Sequence, residues 1–578
     1  MAKYRHRPIP FEGDPVLICR LSGSDLMADR TSNDNVSIQC SADALHSPGG
    51  AEAGREKKRR RARRSAEESK ESPMRRGSIS IYLSLTMLVM TALLAAVFYS
   101  VRAQAGRMQL ANSVDQALFS TFAQYDRDLL ENFDVFFIDG SCGTDSLCPL
   151  VLSDRIEDAM SYILHPKKGR IAGGGNLLSL SRTESYLTGY TLATDVDGLI
   201  FASSAIEYMK ETIGAQGISQ LLDLVPQNAA YSRSQEARGQ DLESRADGSS
   251  YAEIQAEAAA AKAENDALRA EGDAAAAETA SAAETAGSEY GNPLPVIERL
   301  RQMSFMELVL GDTSGVSESS IAGAGLLRDR KAESGLGVID VPDNTGGPYS
   351  KVLYNEYILS HFGNYVTPGE NRGLAYQAEY ILEGGDTDIA NLESIVRKLL
   401  LTREAANIIY LYTDPVKHAE VEACAQGVAA MLLIPFAAPA IGALIAAGWA
   451  FCESIVDVRA LLAGKKTALA KTAETWQVDL RAIPGIVAAD VLGDMSKDVP
   501  GGVSYTDYLR FYLFLADMQV SVARSLDMVE STLRGLGRSN FRLDTCVFAL
   551  TFDTGVVSEH KKTWSMSQTM SYKDFFDR

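Results

Sequence analysis

The most apolar segment of the chain is an uncharged run of 24 residues from Ser78 to Val101. As an α-helix, with a rise of ~1.5 Å per residue, it would be ~36 Å long, enough to cross a hydrocarbon core of ~30 Å. The run exceeds the apolar region of about 7–15 residues in a cleavable secretory signal. The pattern therefore predicts a transmembrane helix at 77–101 that anchors the protein in the lipid bilayer.

The helical pattern continues beyond Val101, with one apolar residue at every third or fourth position. Acidic residues occupy positions between them and are predicted to face solvent. We therefore expect one helix from Ser78 to Phe133, embedded in the bilayer in its first half and amphipathic in its second. The apolar positions are Leu110, Val114, Leu118, Phe122, Tyr125, Leu129 and Phe133, and the acidic ones are Asp126, Asp128, Glu131 and Asp134.

Several short segments alternate apolar and polar residues, a pattern typical of strands. Each is bounded by glycine, aspartate or another turn-forming residue. The last segment is expected to be a hairpin with its turn near Asp553–Gly555, and the second and third are expected to flank a turn at Asp195–Gly198. The predicted strand regions are 135–139, 185–194, 198–204, 376–382 and 546–557.

Three further helices are predicted from periodicity and from their end signals. Pro293 and Pro295 introduce a helix at Val296–Leu310, and Asp386 and Asp388 introduce one that Asp414–Pro415 ends near Tyr412. Ser504 and Asp507 match a capping box for a long helix at Tyr505–Leu533. We expect this last helix to pack on the N-terminal helix.

A second uncharged run, Ala425–Phe451, has two interpretations. As a second membrane span, it would return the C-terminus to the cytoplasm. Pro435 and Pro439 interrupt it, however, and it is rich in alanine and glycine, so a buried helical hairpin bent at the prolines also fits. We favour the buried hairpin.

Two segments lack the apolar residues that a core requires. Residues 1–73 are polar and predicted to be disordered, and the Ala/Glu-rich residues 231–289 are predicted to be a solvated spacer with few large aliphatic side chains. The predicted organisation is a basic cytoplasmic tail (1–76), the anchor (77–101), a first exported part (102–230), the spacer (231–290) and a second, helix-rich exported part (291–578). The fold class is α+β, helix-rich, with a small antiparallel sheet.

Charge is distributed unevenly about the anchor. Residues 1–76 carry 16 Lys/Arg and 11 Asp/Glu, a net charge of +5, whereas residues 77–578 carry 40 and 64, a net charge of −24. Because positive charge remains on the cytoplasmic side, Arg75 and Arg76 are predicted to hold the N-terminus inside and the C-terminal bulk outside the cell. The acidic bulk excludes nucleic acid as its partner.

No motif for catalysis, for a cofactor or for a metal is found in the sequence. The six histidines lie outside known catalytic patterns, and Asp195–Gly198 lacks the third oxygen donor and the glutamate of a calcium loop. Cys142 and Cys148 are spaced so that a disulfide is permitted but not required. Cys424, Cys452 and Cys546 are predicted to be core residues.

Two N-terminal stretches, MRRGSISIYLSL (74–85) and AQYDRDLLENFDVFFIDGS (123–141), resemble a family of single-pass exported proteins of Gram-positive bacteria. That family is of unknown function and is related at its N-terminus to the TadE/TadG-like pseudopilins of Tad (Flp) pilus systems. Tyr82 occupies the position where type IV prepilins have glutamate, which argues against prepilin-type processing. The resemblance extends over about 74–550, with one insert, through the stretches 292–310, 352–365, 374–411 and 453–476.

The resemblance implies a pilin-type N-terminal helix and a role in assembly. We therefore expect a non-enzymatic accessory component, similar to a minor pseudopilin, whose partners are the bilayer and pilus-assembly membrane proteins or pilin. The alternative is a cell-surface structural or adhesive protein that uses the helix only as an anchor. An exported hydrolase would require an active site that leaves no sequence motif.

Overall fold

A computed structural model describes residues 76–164, 178–247, 251–271, 275, 278, 281, 290–339, 341–343, 345–369, 373–486, 496–559 and 561–576. The predicted disordered tail and Arg75 lie outside the described residues. Leu85–Arg578 forms one compact unit. As predicted, the fold is helix-rich with one small antiparallel sheet.

The N-terminal helix α1 is Arg76–Phe122, and a separate helix α2 follows at Arg127–Phe133. The prediction of one helix reaching Phe133 is therefore wrong at this point. The break occurs because Asp126 acts as the N-cap of α2, accepting hydrogen bonds from the backbone N–H groups of Asp128 and Leu129. Its own N–H donates to the carbonyl of Phe137, 2.8 Å away, instead of continuing the helix.

The sheet is antiparallel and centred on one long strand. β1 (Ile138–Asp139) and β4 (Thr563–Ser571) pair with β3 (Cys546–Ser558), and β2 (Leu180–Leu192) also pairs with β3, from Leu180 opposite Ser558 to Leu192 opposite Val547. The predicted strands at 135–139 and 185–194 are therefore present with altered bounds. The predicted strand at 198–204 is wrong, since a helix begins at Leu199 after the predicted turn.

The predicted hairpin turn at Asp553–Gly555 is also wrong, because β3 continues through it. Gly555 is needed there for close approach: a Cβ atom would lie 2.5 Å from Oγ1 of Thr183 and 3.1 Å from the carbonyl oxygen of Trp564. The turn lies after Ser558 instead, where Lys561 has a φ of 57°. The partner strand β4, in which serine or threonine occupies every second position, was not predicted.

Helices cover most of the rest of the chain. Gly214, with a φ of 71°, interrupts the helix Leu199–Asp247. Short 3₁₀ turns occur at Leu327–Asp329, Pro435–Ala437, Leu480–Gly485 and Leu543–Thr545. The helices are α3 (Pro149–Leu164), α4 (Leu199–Asp247), α5 (Tyr251–Ala270), α6 (Leu294–Arg301), α7 (Phe305–Leu310), α8 (Gly347–His361), α9 (Gln377–Glu383), α10 (Asp388–Thr413), α11 (Pro415–Met431), α12 (Ala438–Leu462), α13 (Tyr505–Leu515), α14 (Met518–Gly535) and α15 (Tyr572–Phe576).

Three predicted elements differ from these bounds. The strand predicted at 376–382 is helix α9, in which five successive residues are buried and no face is left for alternation. The helix predicted at Val296–Leu310 is divided into α6 and α7. The helix predicted at Tyr505–Leu533 is divided into α13 and α14, because Asp517 is an N-cap that accepts a hydrogen bond from the N–H of Gln519. The capping box of Ser504 and Asp507 is confirmed.

The helix expected to end near Tyr412 is α10. Its N-cap is Thr387, not Asp386, and the carboxylate of Asp388 instead accepts hydrogen bonds from the N–H groups of Ala375 and Tyr376. Asp414 ends α10 and caps α11, so the predicted stop is confirmed.

Two hydrophobic cores lie in Leu85–Arg578. The first contains the second half of α1, the sheet, α3, α8 and α14, and the second contains α10, α11, α12 and α13. The run Ala425–Phe451 forms a helical hairpin in the second core, bent at Pro435, as favoured above. Ile254 and Ala258 of the predicted spacer are also buried there, so α5 is anchored to the core.

Candidate membrane anchor and buried charge networks

The first half of α1 is an apolar surface on every side. Each large apolar side chain from Ile79 to Val101 is more than half exposed. The hydroxyl groups of Ser84 and Thr91 donate hydrogen bonds to carbonyls one turn earlier, at 2.9 Å each, so they add little polarity. The exposed stretch is ~34 Å long, close to the thickness of a bilayer core.

By length and composition, two helices could cross a membrane, and burial separates them. None of the most apolar window of α1 is buried, whereas 83% of the corresponding window at Pro435–Leu462 is buried inside the protein. A buried helix of a soluble core passes the same test of composition. The first half of α1 is therefore the stronger candidate for a membrane span.

The second half of α1 packs along β4 and α15. Gly106 lies against the indole of Trp564, Asp115 Oδ1 accepts a hydrogen bond from Gln568 Nε2 at 3.1 Å, and the Tyr572 hydroxyl donates to the Phe122 carbonyl at 2.9 Å. The predicted apolar positions of α1 are fully buried in this contact (Leu110, Val114, Leu118 and Phe122). The helix predicted at Tyr505–Leu533 was expected to pack on the N-terminal helix: its second part, α14, contacts α2 at the end of that predicted helix, whereas β4 lies along α1.

The acidic residues after α1 were expected to face solvent. Glu131 is exposed, but Asp126 is buried and pairs with the guanidinium group of Arg538. The same guanidinium contacts Asp128 at 3.2 Å and Asp139 at 2.8 Å. The prediction is therefore wrong for Asp126, whose charge is compensated by a residue 412 positions later in the chain.

A second charge network lies in the second core and is almost completely shielded from solvent. Arg403 donates to Oδ2 of Asp457 from Nε at 3.1 Å and from Nη2 at 2.9 Å. Lys471 Nζ donates to Oδ1 of Asp457 at 2.8 Å and also pairs with Glu453. The Glu453 carboxylate accepts hydrogen bonds from two backbone N–H groups, the nearer being that of Val478 at 2.8 Å.

Two cations and two anions balance in this network. Burial alone would raise the pKa of Asp457, but the charges of Arg403 and Lys471 outweigh it and hold that pKa below its ordinary value. The network joins α10, α12 and the segment that contains Lys471. Because its contacts connect three parts of the second core, we assign the network a structural role.

Glu379 on α9 is a third buried group, with no exposed surface. Its Oε1 accepts hydrogen bonds from the N–H of Tyr365 at 2.8 Å and from the hydroxyl of Tyr505 at 2.6 Å. Its Oε2 has no hydrogen-bond partner among the described residues. Burial raises the pKa of Glu379 from 4.5 to about 7, against the opposing effect of these hydrogen bonds.

We expect E379Q to change how stability depends on pH. Because the pKa of Glu379 is raised in the folded state, its contribution is complete below pH 4.5 and is lost as the pH rises to about 7. Glutamine stays neutral and retains the acceptor, so the variant should be more stable than the wild type by up to ~3 kcal/mol at pH 8, but not at pH 4. Urea unfolding at both pH values measures this difference. The exposed replacement E393Q is the control, and an equal effect of E379Q at both pH values would contradict the expectation.

The cysteines fall into two groups. Cys142 and Cys148 are half-buried free thiols in the structure, and a disulfide between them stays a prediction that non-reducing peptide mapping can test. Cys424, Cys452 and Cys546 are buried as predicted, and burial raises the pKa of Cys424 and Cys452 to about 12. Among the described residues, no group of three His, Cys, Asp or Glu side chains is placed to hold a metal ion.

Residues 283–558 match the model of a family of unknown function, DUF5702. The matched region contains both Glu379 and the Arg403–Asp457 network, and it ends at the last residue of β3. It does not reach α1 or β4, so the TadE/TadG resemblance of the N-terminus stays a prediction. No curated protein and no solved structure matches the chain.

Proposed function

We propose that the protein is a single-pass, membrane-anchored exported protein that acts by binding, as an accessory component of a Tad/Flp-type pilus or secretion assembly. The observation that supports the proposal most is the division of α1 into two halves. The first half is apolar and exposed on all sides, and the second half is packed on the sheet. A pseudopilin-like subunit needs both properties in one helix.

The exposed apolar half suits lateral contact with other transmembrane helices. Its exposed face contains no charged side chain between Ile79 and Val101. In lipid, helices associate through van der Waals packing and small residues, without a hydrophobic driving force. The packed half holds the exported domain close to the membrane. An assembly partner there could contact both the apolar half of α1 and the exported domain.

The test is in-cell crosslinking of the native protein, followed by detergent extraction and mass spectrometry. Recovery of pilus-assembly membrane proteins or of the major pilin would support the proposal, and deletion of the protein should then reduce the number of pili. Recovery of wall polymers or unrelated surface proteins alone, with intact pili after deletion, would refute it. That result would favour the structural or adhesive alternative.

A further inference from the structure

The turn between β3 and β4 lies beside the end of the apolar half of α1. The ammonium group of Lys562 is 4.6 Å from the ring centre of Tyr99 and 5.6 Å from that of Trp564. Lys561 is exposed in the same turn. We call Lys561 and Lys562 the hairpin tip; Trp564 lies beneath them and is buried.

The position of the hairpin tip follows from the packing of β4 along α1. The contacts between the two elements run in the same direction along both, from Lys562 beside Tyr99 to Tyr572 beside Phe122. The 23 residue steps along α1 cover ~35 Å, and the ten steps along β4 cover ~33 Å. Strand and helix are therefore matched in length, and the hairpin ends where the exposed apolar stretch ends.

The hairpin tip has the chemistry of a membrane interface. Tyr99, which is 61% exposed, is an aromatic side chain with a polar atom of the kind common at the level of the lipid headgroups, and lysine side chains there reach anionic phosphates. Among the described residues, neither Lys561 nor Lys562 takes part in an ion pair, although Glu559 lies in the same turn. Arg102 and Arg107 follow on α1, so positive charge accumulates at this level of an otherwise acidic exported region.

We propose that the hairpin tip binds the headgroups of anionic phospholipids in the outer leaflet and fixes the depth at which the anchor sits. The proposal rests on the membrane anchoring proposed above. The lysine ammonium groups would donate hydrogen bonds to lipid phosphates, while the contact of Lys562 with Tyr99 holds its ammonium at the end of the apolar stretch.

The experiment measures the reactivity of individual lysines in the full-length protein. The protein is inserted into nanodiscs of phosphatidylcholine alone or with phosphatidylglycerol, and acylation of each lysine by an N-hydroxysuccinimide ester is followed by mass spectrometry. We expect Lys561 and Lys562 to react about fivefold more slowly with phosphatidylglycerol present. The difference should shrink in 0.5 M salt, because the electrostatic screening length there is roughly fourfold shorter than at low salt. Lys262 on α5 and Lys331 are exposed internal controls.

A matched pair of variants gives a second measurement. K561Q/K562Q should lower the ratio of phosphatidylglycerol to phosphatidylcholine that co-purifies with the protein severalfold, and K262Q/K331Q, with the same change in charge, should leave it unchanged. Equal reactivity of the tip lysines in both lipids, or equal slowing at Lys262 and Lys331, would overturn the proposal. Failure of the protein to insert into either nanodisc would instead refute the anchoring itself.

Discussion

Two arginines in the middle of the anchor, V89R and L93R together, are expected to prevent integration of the protein into membranes. Val89 and Leu93 lie near the centre of the exposed stretch of α1 and are each more than half exposed, so their replacement removes little packing. Each arginine at the centre of a transmembrane helix costs about 2.5–3.5 kcal/mol on insertion scales, so the pair should cost ~6 kcal/mol. Cell-free synthesis with membrane vesicles, followed by alkaline extraction, measures the integrated fraction.

The matched control places the same two charges on other exposed apolar residues. Leu150 and Val416 are 81% and 66% exposed, and neither belongs to α1, so L150R/V416R should integrate as the wild type does. A V89R/L93R protein that still resists alkaline extraction would show that α1 is not the element that holds the protein in the membrane.

The variant R403M is expected to lower the free energy of unfolding by about 3–5 kcal/mol. Arg403 and Asp457 are both essentially inaccessible to solvent. Without the arginine, Lys471 is the one cation among the described residues that remains in contact with Asp457, and Lys471 also forms an ion pair with Glu453. An uncompensated buried charge is among the most destabilising changes that a single substitution can produce. Urea unfolding of the detergent-solubilised protein, followed by tryptophan fluorescence, measures the loss.

Two further variants test this explanation. Arg397 lies on the exposed face of the same helix α10, so R397M should cost less than ~1 kcal/mol. The double variant R403M/D457N removes the uncompensated charge and should recover part of the loss. If R403M were no more destabilising than R397M, the network would contribute little to stability.

The long apolar helix and the buried hairpin at Ala425–Phe451 could be predicted because each depends on a local property of the chain. Apolar length decides whether a helix can cross a bilayer, and prolines decide where a hairpin bends. The single-pass topology and the pilus role remain predictions, since burial and geometry do not report on the side of a membrane or on a partner.

The errors share a cause. Asp126 and Asp517 lie within continuous apolar stripes, and periodicity alone did not show that their carboxylates cap new helices. The segment at 376–382 alternates like a strand, but it is a helix with five successive buried residues. Because it is buried on several sides, its pattern of apolar residues does not distinguish a helix from a strand. Strand β4 was missed although serine and threonine alternate along it with Trp564, Met566, Gln568 and Met570, and its place is set by α1 and β3.

The sequence by itself determined the apolar span, the helix-rich class, the capping box at Ser504, the helix stop at Asp414 and the core cysteines, because these follow from residues close together in the chain. Only the tertiary structure decided which charges are buried and what covers α1. The partners of Asp126 and Asp457 are Arg538 and Arg403, which are distant in sequence, and the cost of burying a charge depends on such partners. The position of the β3–β4 turn beside Tyr99 on α1 likewise arises from matching a strand to a helix in three dimensions.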